Sequence, residues 1–298
     1  MKVIITGANS FIGARMCWRF AKAGWQVTAV MRNTYDFGEN VEQILLDMEN
    51  YDRLGKLTGG ADCMLHLAWN GTRGAARMDR KKQRDNVEYS MNAVRSMLAA
   101  GCKRVVTAGS QAEYGPHADQ ISELTKCMPN TEYGKAKLLF YNEAAALCEA
   151  LGATCIEPRF FSLYGQGDEP STMIITTLEK MLHDEPCPLT KGVQMWDYLH
   201  VEDACDALLA LCVNTNIKSG VYNFGSGDTR PLCEYIREMA RITQSNSLLQ
   251  FGLVSYPETG MVSLWPDVSK LKQTLGWEPR ISFAEGIRSI ITSLERNK

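Results

Sequence analysis

The sequence predicts an α/β protein, a Rossmann-type doubly wound parallel sheet with a smaller, interleaved α/β substrate domain. Two observations predict this fold class. The first half of the 298-residue chain alternates short apolar runs with longer helical patterns, which is typical of β-α-β units. A glycine-rich turn also follows the first apolar run and opens the first helical pattern, as it does in dinucleotide-binding folds. At about 150 residues per domain, the length gives about two domains.

The predicted elements alternate in order along the first half of the chain. Strands are predicted over residues 2–6, 26–31, 43–47, 63–67, 104–108 and 154–159. Helices are predicted between them over residues 12–23, 86–100 and 133–151. Each β-α-β unit is expected to cross over with the right hand.

Beyond residue 165 the alternation loosens. Helices are predicted over 172–183, 202–213 and 233–243, and short strands over 221–224 and 249–251. We therefore expect a dinucleotide-binding domain over residues 1–163, with returning segments near 192–215. Residues 164–298 should form mainly the smaller, discontinuous substrate-binding domain.

Composition and charge exclude several classes of protein. The 32 Lys and Arg residues against 34 Asp and Glu give a net charge of −2, so no nucleic-acid partner is expected. The most basic stretch, 73–84, is followed at once by Asp85 and Glu88, which favours a solvated helix face. With 45% hydrophobic and 22% charged residues and no apolar run near the ~18 residues of a membrane span, we expect a soluble protein without a membrane partner.

The cysteines and histidines point to a reduced, metal-free protein. The ten cysteines are scattered, and the start of the chain lacks the features of a signal peptide, so we expect free thiols in the cytoplasm. The four histidines are far apart and form no ligand-spaced cluster, which argues against a metal site. They are His66, His117, His183 and His200.

The first turn predicts a phosphate-binding site. It runs TGANSFIG from Thr6 to Gly13, where the first glycine permits a tight turn and the last permits close helix–strand packing. The helix amino terminus would then present free N–H groups to a pyrophosphate. The alternative is a purely structural strand-to-helix turn. One departure is Ser10, at a position that often carries glycine.

The end of the second strand indicates the type of dinucleotide. An acidic side chain there suits the ribose 2′-hydroxyl of NAD, whereas an arginine suits the 2′-phosphate of NADP. Here Arg32 follows the strand and the first carboxylate is Asp36, so NADP(H) is favoured and NAD(H) is possible. The alternative is a surface arginine. Asp47, after the third strand, is placed to accept from the adenine amino group, although aspartate is also common at loop starts.

A tyrosine, a lysine and a serine form the predicted catalytic set. Tyr133 and Lys137 are four residues apart at the start of a helix and so lie on one face. A free tyrosine has a pKa near 10, and a lysine ammonium one turn away would stabilise its phenolate. Ser110, after an upstream strand, would hydrogen-bond the reacting oxygen. Alone, Y-x-x-x-K also occurs by chance, and Ser110 could simply cap the strand end.

Together these motifs resemble an extended short-chain dehydrogenase/reductase of the NAD-dependent epimerase/dehydratase family, which acts mainly on nucleotide sugars. The resemblance covers the chain through a series of ordered motifs. They are the TGANSFIG turn, Asp47-Met48, His66-Leu67-Ala68, Asn86, Ser110 before Tyr114-Gly115, Tyr133 with Lys137, residues 158–165, 197–203 and 221–227, Asp267-Val268-Ser269-Lys270 and Leu275-Gly276-Trp277-Glu278-Pro279.

The resemblance implies roles for single residues. Ser110, Tyr133 and Lys137 would be catalytic, and the last two would also contact the cofactor. It also implies a homodimer through the helices that contain Asn86 and Tyr133. The full set of implied cofactor-binding residues is Gly7, Ser10, Phe11, Ile12, Gly13, Arg32, Asp47, Met48, Leu67, Ala68, Asn86, Tyr133 and Lys137.

Departures from the family pattern bear on the substrate. Sugar dehydratases carry acidic residues just after the serine position, where this chain has Gln111 and Ala112. Glu113 comes one residue later and, on a strand, would point the other way. A dehydratase is therefore disfavoured, which leaves reduction of a keto-sugar or epimerisation.

Two arginines that often hold the diphosphate are also missing. Trp196 stands at one such position and Tyr256, before Pro257, at the other, while Ser162 replaces an asparagine. Lys191 and Arg230 could replace these cations, or aromatic residues such as Trp196 and Trp265 could stack on the ligand. Otherwise the substrate carries no diphosphate, and Trp196 packs between domains. The predicted substrate-binding set is Gln111, Ser162, Lys191, Trp196 and Arg230.

The main hypothesis is an NADP(H)-dependent reductase of a 4-keto-6-deoxy nucleotide sugar, which supplies a deoxyhexose for surface polysaccharide. Tyr133 would deliver the proton while hydride passes to the carbonyl carbon. The alternatives are a nucleotide-sugar 4-epimerase, a reductase of a non-nucleotide carbonyl compound, and a non-enzymatic NADP-binding sensor or scaffold.

Overall fold

The structure is a computed structural model that describes residues 1–38, 40–256 and 261–296. Pro257 of the sequence analysis lies outside the described residues. The strands, in chain order, are β1 Lys2–Thr6, β2 Gln26–Met31, β3 Val41–Leu45, β4 Cys63–His66, β5 Arg104–Thr107, β6 Gly109–Ser110, β7 Thr154–Phe160, β8 Ser162–Tyr164, β9 Cys187–Leu189, β10 Met195–Trp196, β11 Tyr198–His200, β12 Gly220–Phe224, β13 Arg230–Pro231 and β14 Leu249–Phe251. The α-helices are α1 Gly13–Lys22, α2 Leu54–Thr58, α3 Arg80–Ala99, α4 Glu132–Ala150, α5 Met173–Leu182, α6 Val201–Val213, α7 Leu232–Thr243, α8 Ser269–Leu275 and α9 Phe283–Arg296.

A parallel sheet forms the centre of the larger lobe and confirms the predicted fold class. Its strand order is β12-β7-β5-β4-β1-β2-β3, and β6 also pairs with β7. The chain order reverses between β1 and β4, which is where doubly wound sheets bind ligands at their carboxyl edge. The third strand lies two residues earlier than predicted.

Each face of this sheet is covered by helices with a regular apolar face. On one side α1 buries Met16, Cys17 and Phe20 against the sheet, together with α6. On the other side α4 buries Phe140, Ala144 and Cys148 at a spacing of four residues, which places them on one helical face. Each helix therefore packs on the sheet with the apolar face that its sequence periodicity defines.

Helix α3 begins six residues earlier than predicted, at Arg80. Asp79 caps it, because its carboxylate accepts a hydrogen bond from the Lys82 amide at 3.0 Å. The first turns, 80–85, are polar and exposed for the most part, so no apolar periodicity marked them. The capping residue was the signal that the periodicity analysis missed.

The smaller lobe packs around aromatic side chains. Tyr164, Tyr235 and Phe283 form its centre, with ring centroids 5.2 Å apart for Tyr164–Phe283 and 4.6 Å for Tyr235–Phe283. Three two-stranded sheets, β8–β11, β9–β14 and β10–β13, surround this core with α5, α7 and α9.

The division between the lobes differs from the predicted one. The chain returns to the larger lobe not only near 192–215 but through β12, which pairs in parallel with β7. Helix α8 then packs against β12. The physical reason is that β7 would otherwise be an open edge next to the site, with unpaired backbone groups.

Two buried aspartates join the lobes. Asp197 accepts from the amides of Ser226 and Gly227 at 2.6 and 2.7 Å, and Asp203 accepts from the amides of Arg280 and Ile281. The segment 197–203, which carried part of the family resemblance, therefore acts as a structural link. It fixes the wall of the cleft that lies between the lobes.

No described helix is both long enough and apolar enough to cross a membrane. Among the described residues, no three His, Cys, Asp or Glu side chains cluster as a metal site would require. All ten cysteines are free thiols.

Candidate active site

A cleft of about 540 Å³ opens at the carboxyl edge of the sheet, between the two lobes. The first turn, the end of β6 and the start of α4 supply its floor, and the smaller lobe supplies the opposite wall. Its lining includes Ser10, Phe11, Ile12, Leu67, Ser110, Tyr133, Lys137, Ser162 and Trp196. The structure thus brings the predicted catalytic set and part of the predicted cofactor set to one place.

The first turn is shaped for close approach of a ligand. Gly7 has φ +66°, and a Cβ there would lie 2.8 Å from the Ala68 amide nitrogen, so no side chain fits. A Cβ on Gly13 would lie 2.2 Å from the Gly7 carbonyl oxygen. The amides of Phe11 and Ile12 donate to no acceptor in the described structure, which leaves them for a pyrophosphate. These features fit a dinucleotide.

Ser10 replaces the middle glycine without cost to the turn. Its side chain is exposed, and its hydroxyl accepts a hydrogen bond from the Gly13 amide at 3.1 Å. Serine therefore takes over one of the free N–H groups at the start of α1.

A second hollow of about 480 Å³ lies at the adenosine end of the predicted cofactor site and is lined by Arg32, Glu49, Asn70 and Asn86. The Asn86 side-chain oxygen accepts a hydrogen bond from the Asn70 N–H at 3.0 Å, and the Asn86 side-chain nitrogen donates one to the Asn70 carbonyl at 2.8 Å. Arg32 is exposed and has no hydrogen bond or ion pair with the described chain. Asp47 is exposed and Met48 buried at the end of the third strand.

Ser110 is held in place by its own turn. Its hydroxyl accepts from the Ala112 amide at 3.2 Å, and its amide donates to the Glu113 carboxylate at 2.7 Å. Residues 111–113 form a short 3-10 turn. The expected strand geometry for Glu113 is therefore wrong. Its carboxylate is kept out of the cleft by the 3-10 turn, which folds it back beneath Ser110.

Tyr133 lies in the first turn of α4, which Thr131 caps at the Gly134 amide. Burial raises the pKa of Tyr133, and the Ser110 hydroxyl and the Arg77 guanidinium oppose this shift. The phenol is therefore protonated at neutral pH, as an acid that donates to a carbonyl oxygen must be.

Lys137 is buried one turn further along α4. Its ammonium donates to the Ala108 carbonyl at 2.7 Å and lies 3.8 Å from the ring centroid of Trp69. Burial lowers its pKa to about 8, although Glu113 and Glu157 act to raise it. No carboxylate forms a salt bridge with it in the described chain.

A buried ion cluster lies directly behind Ser110. Arg159 bridges Glu157 at 2.8 Å and Glu113 at 2.9 Å, and the three side chains are at most 4% exposed. Burial raises the pKa of both carboxyls, and the Arg159 guanidinium counters it. The cluster packs tightly on the β6 backbone, since a Cβ on Gly109 would lie 2.6 Å from Glu157.

The smaller-lobe wall of the cleft is mainly aromatic and neutral. Trp196 donates its indole N–H to the Ser162 hydroxyl at 3.1 Å, so the two residues that depart from the family pattern contact each other. Trp196 also packs against the apolar clusters beside it. Packing and cleft lining are both its roles here.

Three predicted substrate residues do not line this cleft: Gln111, Lys191 and Arg230. The Arg230 guanidinium forms an ion pair with Glu238 at 2.5 Å and stacks on Tyr235 at 4.0 Å, so it is committed to the core of the smaller lobe. Lys191 is exposed on that lobe. The prediction that these two cations replace the missing arginines is therefore not supported by their positions.

Sequence reasoning missed Trp69, Arg73 and Arg77, which all line the cleft. The sequence predicts one solvated helix face over the stretch 73–84. Residues 73–78 are mostly exposed, but 74–78 form a separate 3-10 turn, and Arg73 and Arg77 line the cleft. Asp79 is the helix cap, so the residues before it form a connection after β4, at the edge where such sheets bind ligands. An aspartate before a polar run was the available signal.

Comparison with known proteins supports the resemblance. Residues 3–225 match the profile of the NAD dependent epimerase/dehydratase family. The chain is 28% identical, over 80% of its length and 89% of the other, to dTDP-6-deoxy-L-talose 4-dehydrogenase (NAD(+)) of Aggregatibacter actinomycetemcomitans. It is 22% identical, over 99% and 98%, to an uncharacterized UDP-glucose epimerase of Bacillus subtilis. The structure of MoeE5 in complex with UDP-glucuronic acid and NAD is 27% identical, with a TM-score of 0.86 and full coverage of both chains.

Proposed function

The chain belongs to the NAD-dependent epimerase/dehydratase family, and from this premise we propose that it is an NADP(H)-dependent reductase of a 4-keto-6-deoxy nucleotide sugar. The observation that carries the proposal is the convergence of Ser110, Tyr133 and Lys137 on one cleft, in which the one carboxylate among the described lining residues, Asp168, is paired with Arg73. The relative named as a 4-dehydrogenase of a 6-deoxy dTDP-sugar supports a reaction at C4 of a 6-deoxy sugar. The product would supply a deoxyhexose for surface polysaccharide.

The chain's own residues would handle the proton. Tyr133 delivers its phenolic proton to the carbonyl oxygen, and the Ser110 hydroxyl donates a hydrogen bond to the same oxygen. Lys137 stabilises the resulting phenolate through its positive charge. A bound nicotinamide dinucleotide supplies the hydride, and Gly7, Gly13 and the free amides of the first turn would hold its pyrophosphate.

The turn after Ser110 supports reduction rather than dehydration. Water elimination needs an acid and a base at the sugar, but Gln111 does not line the cleft and Ala112 is buried. Glu113 is paired with Arg159 at 2.9 Å and is 0% exposed. No carboxylate of this turn is left to act on a substrate.

The preference for NADP(H) rests on Arg32. Its guanidinium is exposed at the end of β2 and unpaired in the described chain, so it can form charge-assisted hydrogen bonds to a 2′-phosphate. The last residue of β2, where an NAD site usually has an acidic side chain, is Met31, which is buried and apolar. The family neighbours with bound NAD make NAD(H) the alternative cofactor.

A nucleotide-sugar 4-epimerase is the second candidate, and the similarity to a UDP-glucose epimerase favours it. An epimerase re-reduces what it oxidises, so it needs no net supply of cofactor. The reductase consumes one NADPH for each product.

The test uses the purified enzyme with dTDP-4-keto-6-deoxyglucose and NADPH, followed by absorbance at the nicotinamide band and by chromatography of the sugar. Stoichiometric NADPH oxidation supports the reductase. Interconversion of UDP-glucose and UDP-galactose without added cofactor would instead establish the epimerase.

The homodimer predicted through α3 and α4 stays a proposal. Helix α4 exposes Leu139 by 50% among polar residues on its outer face. Light scattering coupled to size exclusion gives the mass directly, and a Leu139→Glu variant should shift a dimer towards the monomer.

A further inference from the structure

The connection between β4 and α3 is a fixed structural element. We call residues 72–78 the arginine segment. The Gln83 amide, 1% exposed, donates to the carbonyls of Gly71 and Ala76, both at 2.9 Å, and accepts from the Trp69 indole at 2.8 Å. The segment is thereby anchored on both sides by a buried side chain of α3. Its two arginines have defined positions over the cleft.

The two arginines differ in their partners. Arg73 forms an ion pair with Asp168 of the opposite wall at 3.2 Å. Arg77 stacks on Tyr133, with its guanidinium carbon 4.5 Å from the ring centroid. Its one hydrogen bond goes to the Thr72 carbonyl at 3.2 Å, and it has no carboxylate partner in the described residues.

A half-buried guanidinium without a counter-charge is unfavourable. Burial lowers the pKa of Arg77, which reports the same desolvation cost. Such a site is stabilised when a ligand brings phosphate or carboxylate oxygens, which match the guanidinium fork. Among the described residues that line the cleft, the smaller lobe contributes no cation: Arg230 is paired with Glu238 and Lys191 lies outside the lining.

We propose that Arg77 binds an anionic oxygen group of the substrate, so that the larger lobe supplies the cation that the smaller lobe lacks. The proposal rests on the nucleotide-sugar substrate of the proposed function. Two sources carry this chemistry: the diphosphate at C1, which the 6-deoxy sugar of the proposed function has, and a carboxylate at C6, which would make the substrate a hexuronate in place of a 6-deoxy sugar. The C6 carboxylate is bonded to C5, the neighbour of C4, and Tyr133 is proposed to protonate the oxygen on C4.

Isothermal titration calorimetry of the NADP⁺-loaded protein tests this. Wild type, Arg77→Met and Arg77→Lys are titrated with UDP, UDP-glucose and UDP-glucuronate, with Arg84→Met as the matched control on the exposed face of α3. Loss of a hydrogen-bonded charge is expected to raise Kd about 10- to 100-fold in Arg77→Met. Arg77→Lys should recover part of the loss, and Arg84→Met should bind like the wild type.

The pattern across ligands identifies the source. An equal loss for all three ligands assigns Arg77 to the diphosphate, and a loss confined to UDP-glucuronate assigns it to the carboxylate. Kd values within twofold of wild type for every ligand overturn the proposal, as does the absence of measurable binding to the wild type of all three ligands and of dTDP. Matching thermal unfolding of the variants excludes misfolding.

Binding is measured without turnover, which separates this proposal from the proposed function. If Arg77→Met weakens binding but no NADPH is oxidised with any keto-sugar, the reductase assignment fails and the anion site stands. If NADPH is oxidised and the Kd values do not change, the anion site fails alone.

Discussion

Two groups of charged side chains, one fully buried and one partly buried, lie on either side of residues 108–114, and they are built in opposite ways. Behind the chain, Arg159 is shared by Glu113 and Glu157 at 2.9 and 2.8 Å. In front of it, Lys137 has one carbonyl and the face of Trp69, and Arg77 has one carbonyl and the face of Tyr133. In the rear group, Arg159 serves as the counter-charge of the two glutamates. In the front group, neither Lys137 nor Arg77 has a carboxylate partner among the described residues.

The difference separates structural charge from functional charge. A buried ion with its partners inside the chain is compensated, and removing one partner leaves the others as buried, uncompensated charges. A buried ion without a partner costs stability, and the cost is recovered only when a ligand arrives. Substitutions on the two sides should therefore have opposite effects on activity and on stability.

The largest expected effect is on activity, from Tyr133→Phe. Loss of a general acid should lower kcat about 10²- to 10⁴-fold, because only the proton donor is removed. Steady-state NADPH oxidation measures this, and thermal unfolding should change little. Retention of full turnover would contradict the catalytic assignment.

On the rear side, Arg159→Met should lower the free energy of unfolding by about 3–5 kcal/mol, because two buried carboxylates lose their cation. Urea unfolding followed by circular dichroism gives this value. The matched control is the triple variant Arg159→Met, Glu113→Gln, Glu157→Gln, which should recover a large part of the loss. If Arg159→Met is as stable as the wild type, the rear group does not differ from the front group in its contribution to stability.

Lys137→Met should have the opposite sign. The pKa of Lys137 is about 8 in the folded protein against 10.5 as the ordinary value, so the unfolded chain holds its proton more tightly. The stability cost is full below pH 8 and disappears as pH rises from 8 to 10.5. At pH 7 the variant should be about 1–3 kcal/mol more stable, with loss of turnover. Urea unfolding at pH 7 and at pH 10 should show a gain that is several-fold smaller at the higher pH, because pH 10 lies near the upper end of this range.

The smallest effect is expected at Arg32, a third unpaired cation, which is exposed and so less costly. Arg32→Ser should lower kcat/KM for NADPH about tenfold, from loss of a charge-assisted contact, and leave kcat/KM for NADH unchanged. Steady-state kinetics with both cofactors decides this. An equal change for NADPH and NADH would show that Arg32 does not contact the 2′-phosphate.

Local patterns predicted most of the larger lobe. Apolar periodicity placed β1 and β2 at their observed bounds and α4 within a residue of its own, and the family motifs indicated Ser110, Tyr133 and Lys137. Periodicity failed where the signal was a single capping residue, Asp79. It also failed where pairing between distant strands decided the lobe, as for β12.

The sequence by itself determined the fold class and the family and indicated the candidate catalytic residues, because these depend on local patterns and on motifs in a fixed order along the chain. Only the tertiary structure decided which charges are compensated. The sequence does not distinguish Arg77 from Arg230, yet Arg77 stacks on Tyr133 with no carboxylate partner among the described residues, and Arg230 is held by Glu238. The counter-charge of a buried ion comes from wherever the fold brings a carboxylate, and sequence distance does not encode that.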